Sequence, residues 1–154
     1  MTVDLPACLG VQTVDAVLST TALHWLPSDR LVKVYQQLGR MIRPGGVLLN
    51  GDNIPFPRHL ATFQRHAEDA RKRQEADAFQ SRGVEDWGRW WEALGAEQGM
   101  ASLIQERTRR FAGIRRDWAE PLLDMHEAAL SDAGFREVGA IWQRLDDRIL
   151  MAVR

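Results

Sequence analysis

Four histidines and six tryptophans are the residues best equipped for chemistry in this chain of 154 residues. His126-Glu127 opens the zinc pattern H-E-x-x-H, but its fifth position is Leu130, so the second ligand is missing. His59 and His66 have no set of Cys or carboxylate ligands around them, which reads as solvated surface. No metal is expected. Arg71-Lys72-Arg73 lies among Glu68, Asp69, Glu75 and Asp77, a mixed solvated face before it is a phosphate site. Trp87, Trp90 and Trp91 allow two readings. They could wall an apolar or aromatic substrate, since pockets are mostly apolar with a few placed polar groups, or they could simply anchor a helical cap to the sheet. His24, three residues beyond the polar pair Thr20-Thr21, takes its meaning from the elements around it.

Composition narrows the partners. Twenty basic against 21 acidic residues leave a net charge of -1, too little field to gather nucleic acid or anionic lipid. Hydrophobic residues at 45% and charged residues at 27% describe an ordinary globular chain with one core. Cys8 has no partner for an internal disulfide, and the start MTVDLPACLG lacks the basic stretch and long apolar run of a secretion signal, so a cytoplasmic location is expected. No run approaches the ~20 apolar residues of a membrane span.

The elements follow from periodicity. Residues 14–19 (VDAVLS) form a short apolar run that reads as a buried strand. Ser28 and Asp29 suit a helix start, and Leu31, Val34, Tyr35, Leu38, Met41 and Ile42 recur on one helical face. Arg43-Pro44-Gly45-Gly46 reads as a stop and turn, and residues 47–50 (VLLN) as a second buried strand. Strand, helix, strand at this spacing predicts a parallel crossover unit and hence α/β architecture.

Residues 55–118 are polar and helical, with Leu60, Phe63, Ala67 and Ala70 as an apolar stripe, and form an expected helical cap inserted after the second strand. Pro121 suits a first helical turn, with Leu122, His126, Ala129, Leu130 and Ala133 on one face and Gly134 closing the helix. Residues 136–145 and 148–153, joined through Asp146-Asp147, should pair as an antiparallel hairpin.

This order, with the stretch from Asp15 through Ser19, Thr20, Thr21, Leu23, His24, Trp25 and Leu26 and the block Leu38-Gly39-Arg40-Met41-Ile42-Arg43-Pro44-Gly45-Gly46-Val47-Leu48-Leu49, resembles the C-terminal half of the class I S-adenosylmethionine (SAM) dependent methyltransferase fold. Within that family the likeness is to small-molecule enzymes of the trans-aconitate methyltransferase type. It covers residues 10–54 and 119–154 and implies one partial Rossmann-like domain, 1–154, lacking the family's first three strands. Neither the family's Gly-rich turn after its first strand nor the acidic ribose contact after its second is present, and no G-x-G stands in the chain.

The resemblance implies a truncated transferase that uses SAM to methylate an oxygen, nitrogen or carboxylate nucleophile of a small molecule. It places Thr20, Thr21 and Leu23 at the cofactor's methionine end and makes His24 a candidate base. His24, Trp25, Trp87 and Trp91 are candidate substrate contacts. Trp25 could face the sulfonium, a cation over an aromatic ring, or pack in the core, and His24 could equally be a packing residue. Whether the chain alone is an active enzyme stays open. The alternative is a non-enzymatic methyltransferase-like remnant that binds a protein partner or dimerises, because a half-sheet leaves the strand from Val14 as an open edge.

Overall fold

A computed structural model describes residues 4–113 and 118–154. The chain divides into two compact units, residues 1–67 with 118–154 and residues 68–117. In the first, α1 (Leu5–Leu9) precedes β1 (Val14–Thr20), α2 (Ser28–Met41) and β2 (Ile42–Asn53), and a single 3-10 turn (Leu23–Trp25) lies between β1 and α2. α3 (Ala61–Ala76) crosses the boundary between the units. The second unit continues with α4 (Trp87–Ala96) and α5 (Ala101–Phe111), and the first resumes with α6 (Leu123–Asp132), β3 (Glu137–Arg144) and β4 (Asp147–Val153). Residues 114–117 of the expected insertion lie outside the described residues.

The sheet has the order β1-β2-β4-β3, parallel between β1 and β2 and antiparallel elsewhere. This is a mixed α/β architecture, as the order of elements predicted. Its core is one-sided. Leu31, Tyr35 and Leu38 of α2, with Ala129 and Leu130 of α6, close over Leu48 of β2 and Leu150 and Ala152 of β4. Strand alternation puts those sheet residues on one face. Burying a large side chain there contributes about 1.5–3 kcal/mol before conformational entropy is counted.

Local details depart from the sequence reading in five places. β1 is an edge strand rather than a buried one: it pairs with β2 alone among the described residues, and Leu18 is 76% exposed. α2 ends at Met41, ahead of Arg43-Pro44-Gly45-Gly46, but that segment is not a turn outside the strand. It lies within β2 as an irregularity, where the register passes from Val14↔Ile42 to Ala16↔Val47. Gly45 takes φ 78° there and its N–H donates to the Arg154 carbonyl at 2.7 Å, so an antiparallel neighbour absorbs the turn. Ser28 is the first helical residue rather than the cap. Pro27 occupies the cap position without a side-chain bond, and Asp29 charges the first turn. α6 begins at Leu123, two residues beyond Pro121. Helix α1 went unforeseen, although Asp4 caps it and Gly10 closes it at φ 65°.

Gly39 permits the close approach of α2 to the end of α6. A Cβ on it would lie 2.1 Å from the Ala133 carbonyl oxygen, and its own carbonyl accepts a bond from Arg154 Nε at 2.5 Å. Gly39→Ala should therefore destabilise the chain by about 1–3 kcal/mol. Gly139→Ala, with nothing within 4 Å of the new Cβ, should shift stability by no more than about 0.5 kcal/mol. Urea unfolding of both variants measures the difference, and equal midpoints would refute the packing argument.

Candidate functional site

The parallel pairing of β1 and β2 brings their C-terminal ends to one edge of the sheet, with Thr20 opposite Gly51. Open α/β sheets bind ligands outside such strand ends. Thr21 adopts φ 47°, a left-handed conformation that a β-branched residue rarely takes, and its N–H donates to the Gly51 carbonyl at 2.8 Å. This reversal carries the chain into the turn Leu23–Trp25 and sets His24 beside the end of β2.

Asp52 meets it there. Its Oδ1 lies 2.5 Å from His24 Nδ1, and its Oδ2 accepts the His24 backbone N–H at 3.0 Å. One carboxylate thus holds both the ring and the main chain of the same residue. The Asp52 side chain is 1% exposed and the His24 side chain 21%. Since a carboxylate accepts, Nδ1 is the donor in this contact, which leaves Nε2 outside it. An imidazole oriented in this way by a buried acid has the form of a general base.

Sequence reasoning missed Asp52. The available signal was alternation: residues 48, 50 and 52 share the core-facing side of β2, and a carboxylate two residues past Asn50 on that face demands a partner. Trp25 is 55% exposed rather than packed in the core, with its ring centroid 5.4 Å from that of His24. Leu23 packs against the core cluster. Thr20, Thr21, Leu23, His24 and Trp25 therefore share one sheet edge.

Trp87 and Trp91 belong to the helical unit, where they form a cluster with Trp90. The centroids of Trp87 and Trp90 are 5.1 Å apart in a stack, Trp91 stands edge-on to both, and the Arg107 guanidinium lies 4.0 Å from the Trp91 ring centre. His59 and His66 are exposed, and no group of three potential metal ligands occurs among the described residues.

A second polar pair lies in the core. The Tyr35 hydroxyl is 2.7 Å from His126 Nδ1, with both side chains buried. Burial first, and the charge of Asp52 second, push the Tyr35 phenol up, so it remains a donor. Burial is also the largest influence on His126 and lowers its pKa, so the ring stays neutral and accepts at Nδ1.

Among the described residues, the strand ends do not by themselves make the backbone cradle that a nucleotide-type cofactor needs. The Thr21 N–H is already used by Gly51, and no Gly-rich turn opens a helix here. At Gly51 an added Cβ would meet only Thr20 Oγ1, at 3.9 Å, an ordinary contact and not the close backbone approach of a phosphate-type loop.

No protein-family model matches the sequence, and a search of curated proteins gives no match. Solved structures do match. A carbon methyltransferase, CurJ, aligns with 99% of this chain and 32% of its own, at 14% identity and TM-score 0.51. A candidate O-methyltransferase from Nostoc punctiforme aligns with 94% of this chain and 33% of its own, at 13% identity and TM-score 0.50. A candidate exported protein from Bordetella parapertussis aligns with 94% and 40%, at 15% identity and TM-score 0.50. The chain spans about a third to two-fifths of the length of these structures. At such identities the likeness is one of fold.

The core pair carries a pH signature. Because the folded-state pKa of His126 lies below its unfolded value, the unfolded chain binds more protons below pH ~6.5. Its contribution is whole above that pH and declines as the pH falls towards the folded pKa. Stability followed by urea unfolding should fall with acidification below about pH 6.5, with a shallower slope in His126→Gln, which can still accept from Tyr35. An unchanged slope would show that the folded chain protonates His126 freely.

Proposed function

We propose that the chain is the C-terminal, acceptor-side part of a SAM-dependent methyltransferase for small molecules, with His24 as general base and Asp52 as its positioning residue. The observation that carries this reading is the His24–Asp52 pair at the ligand-binding edge of a sheet whose fold matches methyltransferase structures. SAM, when bound, supplies the electrophilic methyl group. The chain's own residues do the rest. His24 Nε2 takes the proton of a hydroxyl or amine acceptor, Asp52 fixes the tautomer and balances the imidazolium charge, and Trp25 shields the ring from one side.

Thr20, Thr21 and Leu23 are assigned to the methionine end of the cofactor, and Trp87 and Trp91 to the acceptor, on the family resemblance. The trans-aconitate methyltransferase subtype and a cytoplasmic location belong to the same proposal. On this reading the glycine-rich half of the cofactor site is not supplied by residues 1–154. Calorimetric titration with SAM and its demethylated product tests it. Micromolar binding supports a working enzyme, and absence of heat at millimolar ligand sinks the claim of unaided activity.

Asp52→Asn should lower kcat for hydroxyl or amine acceptors by about 10²-fold or more while sparing carboxylate acceptors, which have no proton to lose. Equal losses on both acceptor classes in a methyl-transfer assay would make Asp52 merely structural.

The open edge at β1, with Leu18 76% exposed, favours a second reading in which the half-sheet pairs with another chain or with its own copy. Light scattering at rising concentration should then show dimers. A monodisperse monomer throughout would count against it.

A further inference from the structure

A groove in the sheet unit of about 360 Å³ lies among Phe56, Leu60, Phe63, Leu122 and Leu123, with Arg148 at its base. A second hollow of about 460 Å³ shares Phe56, Phe63 and Gln143 with it, so the apolar lining is continuous. Phe56 and Phe63 meet edge to face, 5.6 Å between centroids. Exposed aromatic walls of this kind favour a flat apolar guest.

Arg148 gives the groove a polar preference. It is 5% exposed, lies 4.8 Å from the Phe56 ring centre and donates through a terminal nitrogen to the Ile54 carbonyl at 3.0 Å. Its Nε is buried without a hydrogen-bond partner among the described residues. A buried donor of this kind calls for an acceptor. Desolvation lowers the pKa of Arg148, and the carboxylates of Asp146 and Glu127 act against that. Glu127 and Asp124 also line the groove beside Arg148. An anionic guest would face Asp124 and Glu127 at close quarters, whereas a neutral oxygen would not.

From these features we propose that the groove binds a neutral, planar aromatic molecule whose carbonyl or hydroxyl oxygen accepts a hydrogen bond from the Arg148 guanidinium, which lines the groove. The site is independent of methyl transfer, since neither His24 nor Asp52 lines it. It does lie close by in the sheet, because Arg148 stands opposite Asp52 in the β2–β4 register.

The test is a methyl NMR titration of the 154-residue chain with 2-naphthamide, and with 2-naphthoate as the anionic counterpart of the same shape. 2-Naphthamide should shift the Leu60, Leu122 and Leu123 methyls saturably and leave those of Leu31 in the core unmoved. 2-Naphthoate should bind roughly tenfold more weakly, and Glu127→Gln should narrow that gap. Arg148→Lys, which keeps the charge and removes the guanidinium, should weaken 2-naphthamide by about tenfold. If Arg148→Lys does not fold, Leu123→Trp fills the groove instead and should abolish the shifts. Tighter binding of the anion, shifts that persist in Leu123→Trp, or no saturable shift at these leucines would each overturn the proposal.

Discussion

One carboxylate organises the sheet edge on which the functional reading rests. Asp52 accepts both the backbone N–H and the ring Nδ1 of His24, so the turn after β1 is tied to the end of β2 at two points. A side-chain bond alone would leave the ring free to swing with its main chain. The double contact fixes both, and does so where Asp52 has almost no exposure to water and the interaction is little screened. Thr21 contributes from the other direction, since its strained φ of 47° is held by the bond to Gly51. Strain of this sort persists only when the surroundings enforce it.

The core beneath that edge is unusually polar for a small sheet. Tyr35 and His126 satisfy each other, Arg148 reaches the Ile54 carbonyl, and Asp52 faces the same side of the sheet as Leu48 and Leu150. Each such group costs free energy to bury unless its partner is in place. The helices that cover this face therefore do two tasks at once. α2 brings Leu31 and Leu38 for packing and Tyr35 for pairing, while α6 brings Leu130 and His126. Packing and polar satisfaction are coupled, so a change in either helix reaches the strand ends.

Much of the sheet unit was legible in the sequence because its signals are local. The stripe from Leu31 to Met41 forms α2, and the short link after Leu145 makes the hairpin. Misreadings arose where a distant partner changes the meaning of a local signal. Pro44-Gly45-Gly46 looks like a break until Arg154 pairs across it. Leu18 sits in an apolar run, yet no neighbouring strand among the described residues covers it. His24 was found as a candidate through resemblance. Asp52 was not, because a separation of 28 positions hides a contact that only the parallel register creates.

In the proposed function, Asp52 holds His24 at Nδ1 and leaves Nε2 to take the acceptor's proton. Long-range proton–nitrogen correlation of the His24 ring at neutral pH reads this directly. The account predicts a protonated Nδ1 and a bare Nε2, with that assignment lost in Asp52→Ala. A ring protonated at Nε2, or one averaging freely between tautomers in the unaltered chain, would contradict it.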